Sequence, residues 1–116
     1  MAATVTYAFP VAGTTPPTAA QAFNCNSLTA NVTFLDADTT ALITHNWGLT
    51  TAQLNNLWPW ADFYPSALGT ATVAIYMSLA LTNSVAVTLN KATTGAGTGV
   101  GATWVVILER PHSMIT

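Results

Sequence analysis

The stretch Val73-Ala74-Ile75-Tyr76-Met77-Ser78-Leu79-Ala80-Leu81-Thr82-Asn83-Ser84-Val85-Ala86-Val87-Thr88-Leu89-Asn90 decides the fold. From Val73 the larger apolar residues fall at every second position: Val73, Ile75, Met77, Leu79 and Leu81. Ala74, Tyr76, Ser78, Ala80 and Thr82 lie between them. After Asn83-Ser84 the alternation resumes, with Val85, Val87 and Leu89 against Ala86, Thr88 and Asn90. A period of two belongs to a strand with two unlike faces. The charge-free run between Asp62 and Lys91 is long enough for a membrane-spanning helix. The alternation argues against one, and Asn83 and Ser84 fall where a lipid-spanning helix tolerates polarity least. The expectation is a β-hairpin over Thr72–Asn90 with a short polar turn.

Working outward, strands are expected at Thr4–Phe9, Leu28–Leu35, Thr40–Asn46, Trp60–Tyr64 and Ala102–Arg110. In the last of these both faces are apolar: Trp104, Val106 and Leu108 on one, Val105 and Ile107 on the other. Such a strand is central or covered by a partner. Thr50–Leu57 is the one helical candidate, with Thr50 or Thr51 as its cap and Pro59 as its stop. Gly13 and Pro16-Pro17 keep Ala12–Ala20 out of regular structure, so Pro10–Ala20 reads as an extended arm or loop. Asp36-Ala37-Asp38 is a turn, Thr93–Gly101 a Gly-rich loop and His112–Thr116 a tail. About seven or eight short strands punctuated by turns specify an all-β fold. One domain is expected, an antiparallel β-sandwich with one short helix and an extended N-terminal arm; a jelly roll is one arrangement of such strands. No internal repeat points to a propeller or solenoid.

Only 5% of the 116 residues are charged, namely Asp36, Asp38, Asp62, Lys91, Glu109 and Arg110. An ordinary soluble domain carries about 25%. A surface so sparse in charge is poorly protected against association. It is expected to be covered by copies of itself, by another protein or by lipid. Two basic residues and a net charge of −2 give no footprint for nucleic acid. The N-terminus has neither a basic nor an apolar signal-peptide region, so synthesis in the cytosol is expected. Cys25 has no cysteine to pair with and reads as a small buried hydrophobe, and Asn24 and Asn26 offer no positive charge to activate it.

Catalytic sets are scarce. His45 and His112 each read as satisfying a local hydrogen bond rather than binding metal or moving protons. Asp36 and Asp38 form a D-x-D pair without further ligands, which suits an Asx turn better than a cation. The glycines Gly95, Gly97, Gly99 and Gly101 precede a strand rather than a helix and lack a P-loop lysine. The Asn31-Val32-Thr33 sequon has no meaning without secretion. No catalytic residue, metal or cofactor is assigned. Aromatic residues carry more information: Trp47, Trp58, Trp60, Phe63 and Tyr64 crowd together around two prolines. Part of such a cluster packs the core. The rest is suited to anchoring an interface.

Ile43-Thr44-His45-Asn46-Trp47-Gly48-Leu49-Thr50 resembles a stretch in small structural proteins of tailed bacteriophages. Asn83–Lys91 and Ile107-Leu108-Glu109-Arg110-Pro111-His112 are similar to their later parts. The similarity is to capsid cement or decoration proteins, small β-rich molecules bound outside the major capsid shell. It covers residues 40 to 112, leaves the N-terminal forty unmatched, and departs from the pattern at Leu57–Tyr64. The resemblance implies a virion protein on the capsid exterior, made in a bacterial cytoplasm. It would contact the major capsid protein and its own copies, as a dimer or trimer, and carry no catalytic residues. Permanent, apolar interfaces suit a charge-poor chain. The contact residues expected are Val11, Pro16 and Pro17 of the arm, with Trp47, Trp58, Trp60 and Tyr64. The competing expectation is a carbohydrate- or receptor-binding module of a phage tail or fibre, using the same aromatics as a stacking platform. An ice-binding sheet would need Thr-x-Thr repeated in register, and Thr4-Val5-Thr6 stands alone.

Overall fold

A computed structural model of the chain describes residues 3–34, 38, 40–67, 74–90 and 102–111. The expectations for Asp36, the Gly-rich loop, Lys91 and His112 with its tail lie outside the described residues. The order of elements is β1 (Thr4–Phe9), α1 (Ala19–Phe23), β2 (Ser27–Phe34), β3 (Thr40–Thr44), α2 (Thr51–Asn56), β4 (Trp60–Ala67), β5 (Ala74–Ala80), β6 (Ser84–Asn90) and β7 (Ala102–Glu109). The strands form two antiparallel sheets, β1-β2-β7-β4 and β3-β6-β5. The architecture is an all-β sandwich with one shared core.

Strict alternation builds that core. In β2 the side chains of Leu28, Ala30, Val32 and Phe34 are buried while Ser27, Thr29, Asn31 and Thr33 are not. Trp104, Val106 and Leu108 of β7 continue the same layer, and Ile43, Val85, Val87 and Leu89 face them from the other sheet. Each fully buried side chain of this size contributes about 1.5–3 kcal/mol. β7 lies between β2 and β4, so both its edges are paired. Its second face, with Val105 and Ile107, is half-buried.

The hairpin forms as β5 and β6, with one departure from its alternation. The register shifts between Met77 and Leu79. This bulge turns the strand over: Ile75 and Met77 lean on the core, then Ala80 is buried while Leu79 and Leu81 are exposed. β4 also outruns its expected end, since Pro65 sits inside the strand. β4 is an edge strand, where a residue without an N–H is tolerated, and its register slips just after Pro65.

Among the described residues two short helices form, not one. Both begin with a capping box: Gln21 N–H donates to Thr18 Oγ1 (3.2 Å) and Thr18 N–H to Gln21 Oε1 (2.8 Å), and Gln53 and Thr50 repeat the arrangement. Ala19 and Ala20, read from sequence as the end of the arm, are therefore helical. The segment before them is irregular and crosses a cis Phe9–Pro10 bond, but it does not stand off the body. Gly13, at φ 134°, exchanges two backbone hydrogen bonds with Tyr7 (2.7 and 2.9 Å).

Candidate functional site

Ile43–Thr50, the stretch with the most distinctive sequence, is a hub that joins three segments. Asn46 and Gly48 both take left-handed backbone conformations, at φ 58° and 65°, and turn the chain sharply around Trp47. The backbone N–H groups of His45 and Asn46 donate to the Asn83 carbonyl (2.9 and 3.0 Å), Gly48 N–H donates to Asn83 Oδ1 (3.0 Å), and Leu49 N–H donates to the Thr82 carbonyl (2.8 Å). The Asn46 side-chain amide donates to the Pro17 carbonyl at 2.6 Å. The β5–β6 turn and the Pro-containing segment are thus tied to one loop.

His45 is fully buried at the centre of this hub. Its Nδ1 accepts from Trp47 N–H (3.0 Å), and its ring stacks on the Trp47 indole with centroids 4.7 Å apart. Desolvation pushes its pKa down to about 4, and the Arg110 charge adds to that shift. The Leu81 backbone, a larger influence than Arg110, pulls the other way, without reaching hydrogen-bond geometry at Nε2. A neutral, stacked imidazole locked to its neighbour is a packing element. The local hydrogen bond expected of His45 is the one it makes.

The aromatic cluster divides. Trp47, expected at an interface, is 7% exposed and belongs to the core. Stacking on His45 draws it inward, which the linear sequence did not reveal. Trp58, Trp60 and Tyr64 are 50%, 65% and 53% exposed. Pro59, between the two tryptophans in sequence, is buried. Register places Trp60, Asp62 and Tyr64 on the outer face of β4, opposite Glu109, Ile107 and Val105. The indole N–H of Trp60 donates to Asp62 Oδ1 (3.3 Å). Ala61 and Phe63 turn inward, opposite Leu108 and Val106.

Beside these residues the sandwich is open. A groove of about 460 Å³ runs between β4 and β5, lined by Leu57, Trp58, Ala61, Phe63 and Met77, with Trp60 at its rim. Met77 and Leu57 were not singled out from sequence; the inward phase of Met77 before the bulge was the available signal. Of the arm residues expected at the contact, Val11 and Pro16 are half-buried and Pro17 is buried under Asn46. The structure does not bring them together with the exposed tryptophans.

Other candidates are placed more simply. Cys25, expected to be buried, is half-buried. Asp38 is buried. Arg110 donates to the Phe23 carbonyl (3.2 Å) and lies 5.9 Å from the Phe23 ring centroid. Among the described residues no three His, Cys, Asp or Glu side chains gather as metal ligands, and no helix is long and apolar enough to cross a membrane. Comparison with protein-family models, with curated proteins and with solved structures finds no match to this chain.

Proposed function

We propose that the chain is a structural virion protein: a capsid cement or decoration protein that binds the outside of the major capsid shell and stabilises it through protein–protein contacts. The observation that carries this reading is the group Trp58, Trp60 and Tyr64, exposed together beside an apolar groove on a chain with 5% charge. Large aromatics on a charge-poor surface are the anchors of protein interfaces. The resemblance of residues 40 to 112 to cement proteins is what suggests the capsid as partner, with further copies of the chain beside it. The chain acts by burial, with no catalytic step.

The test is stoichiometry. Purified particles are analysed by mass spectrometry, and this chain is quantified against the major capsid protein. A near-equal ratio supports the cement reading. A handful of copies per particle moves the chain to the tail. There the competing reading, a carbohydrate- or receptor-binding module, gains from the Trp60 indole held beside the Asp62 carboxylate. Absence from the particle removes both.

A further inference from the structure

The two lateral sides of the sandwich are finished differently. On the β1/β3 side the chain bonds to its own edges at several points. Gly13 pairs with Tyr7 along β1, Ala3 N–H donates to the Thr40 carbonyl of β3 (2.9 Å), and the buried Tyr7 hydroxyl accepts from Thr44 N–H (2.9 Å). On the β4/β5 side, β4 pairs only with β7 among the described residues. Alternate residues of β4 therefore turn backbone N–H and C=O groups outward with no strand among the described residues to meet them, a template for pairing with another chain. Residues of this strand, Trp60, Ala61 and Phe63, line the open groove together with Met77 of β5.

We propose that β4 accepts an extended segment of a different protein as a fifth strand, next to β4 in the β1-β2-β7-β4 sheet. The proposal deepens the reading of this region as a protein-contact site and rests on it. The geometry specifies the occupant. A strand added beside Trp60–Tyr64 points alternate side chains down between β4 and β5, where Leu57, Trp58, Phe63 and Met77 form an apolar floor. Its other side chains lie on the outer face beside Asp62, which is flanked by the exposed Trp60 and Tyr64. A carboxylate between two aromatic faces suits a Lys or Arg, through charge pairing and cation–π contact. Pro65 has no N–H to offer, and the register breaks just beyond it, so pairing ends near Tyr64. The segment is thus short and alternates apolar, basic, apolar.

Charge separates this occupant from a second copy of the chain. Two β4 strands paired about a two-fold axis would bring like carboxylates together, and Trp60–Ala67 contains no cation to meet Asp62. The Pro-containing segment of a neighbouring copy is committed to its own body through Gly13 and Pro17.

The experiment is an NMR titration of the ¹⁵N-labelled full chain with end-capped synthetic pentapeptides of the pattern Thr-X-Lys-X-Thr, with X as Ile, Leu or Phe. At least one peptide is expected to shift the amides of Trp60–Tyr64 and the Trp58 indole N–H, and to leave β1 unmoved. N-methylation of the backbone is expected to weaken binding about tenfold. Exchange of Lys for Glu, or the substitution Asp62→Asn, is expected to weaken it about threefold to fivefold. Asp62 is on the outer face, so this variant keeps the fold. The proposal is overturned if none of the peptides shifts β4, if the N-methylated peptide binds equally well, or if β4 amides become protected with rising protein concentration alone. Its outcome is separate from that of the particle measurement: peptide binding without virion association removes the capsid and keeps the edge site, and the converse removes only the edge site.

Discussion

The β1/β3 side and the β4/β5 side are built from the same strand chemistry and end in opposite states. On the first, a single residue does most of the closing. The ring of Tyr7 is in the core, its hydroxyl reaches across to the other sheet, and its backbone is bonded to Gly13. On the second, comparable aromatics face solvent: Trp58 before β4, then Trp60 and Tyr64 within it. The difference is one of register and chain direction rather than composition. Where the chain doubles back at Gly13, aromatic surface is used internally. Where it runs on into an edge strand, the same kind of surface is left exposed.

This comparison can be broken at several strengths. The largest effect is expected from Tyr7→Ala, which opens a cavity and strands the Thr44 N–H. A loss of about 4 kcal/mol is expected, read as a lowered urea midpoint. An unchanged midpoint would show that the closed side does not hold the sandwich together.

Acid comes next. His45 has a folded pKa of about 4 against about 6.5 when unfolded. The unfolded chain therefore takes up a proton first. The stabilisation by neutral His45 is complete above about pH 6.5, falls as pH drops through that window, and is gone below about 4. Its full size is about 3 kcal/mol. Thermal denaturation between pH 7 and 4 should show this slope, and His45→Gln should flatten it.

A smaller loss, about 1 kcal/mol, is expected from Thr50→Ala, which removes the cap of α2 on the approach to the open side. The smallest is expected from Trp58→Ala and Trp60→Ala, each within about 0.5 kcal/mol of the parent in stability. If either unfolds the chain, these side chains belong to the core and the contrast between the two sides fails.

The sandwich was legible where alternation is uninterrupted. β2 and β7 follow their two-residue pattern to the end, and β7 is central because both its faces are apolar. The hairpin was legible as a hairpin, but the bulge at Met77/Leu79 was not. One extra residue leaves the printed alternation intact while reversing which face is buried. α1 was hidden behind Pro16-Pro17, although Thr18 and Gln21 carry the spacing of a capping box. The site was half legible. The aromatic cluster could be seen, and its division could not. Trp47 is drawn inward by a ring two residues away, and the exposure of Trp60 and Tyr64 follows from the phase of β4 against β7.

Self-closure at Gly13 also sets the valence of the molecule. A sandwich with pairing groups free on both sides is a link, and links make fibres. Here Tyr7 of β1 is bonded to Gly13 of its own chain, and Pro65 limits pairing along β4, so the strand addition proposed above has one side on which to occur. If that addition occurs, each copy takes up one segment and presents no second edge of the same kind among the described residues.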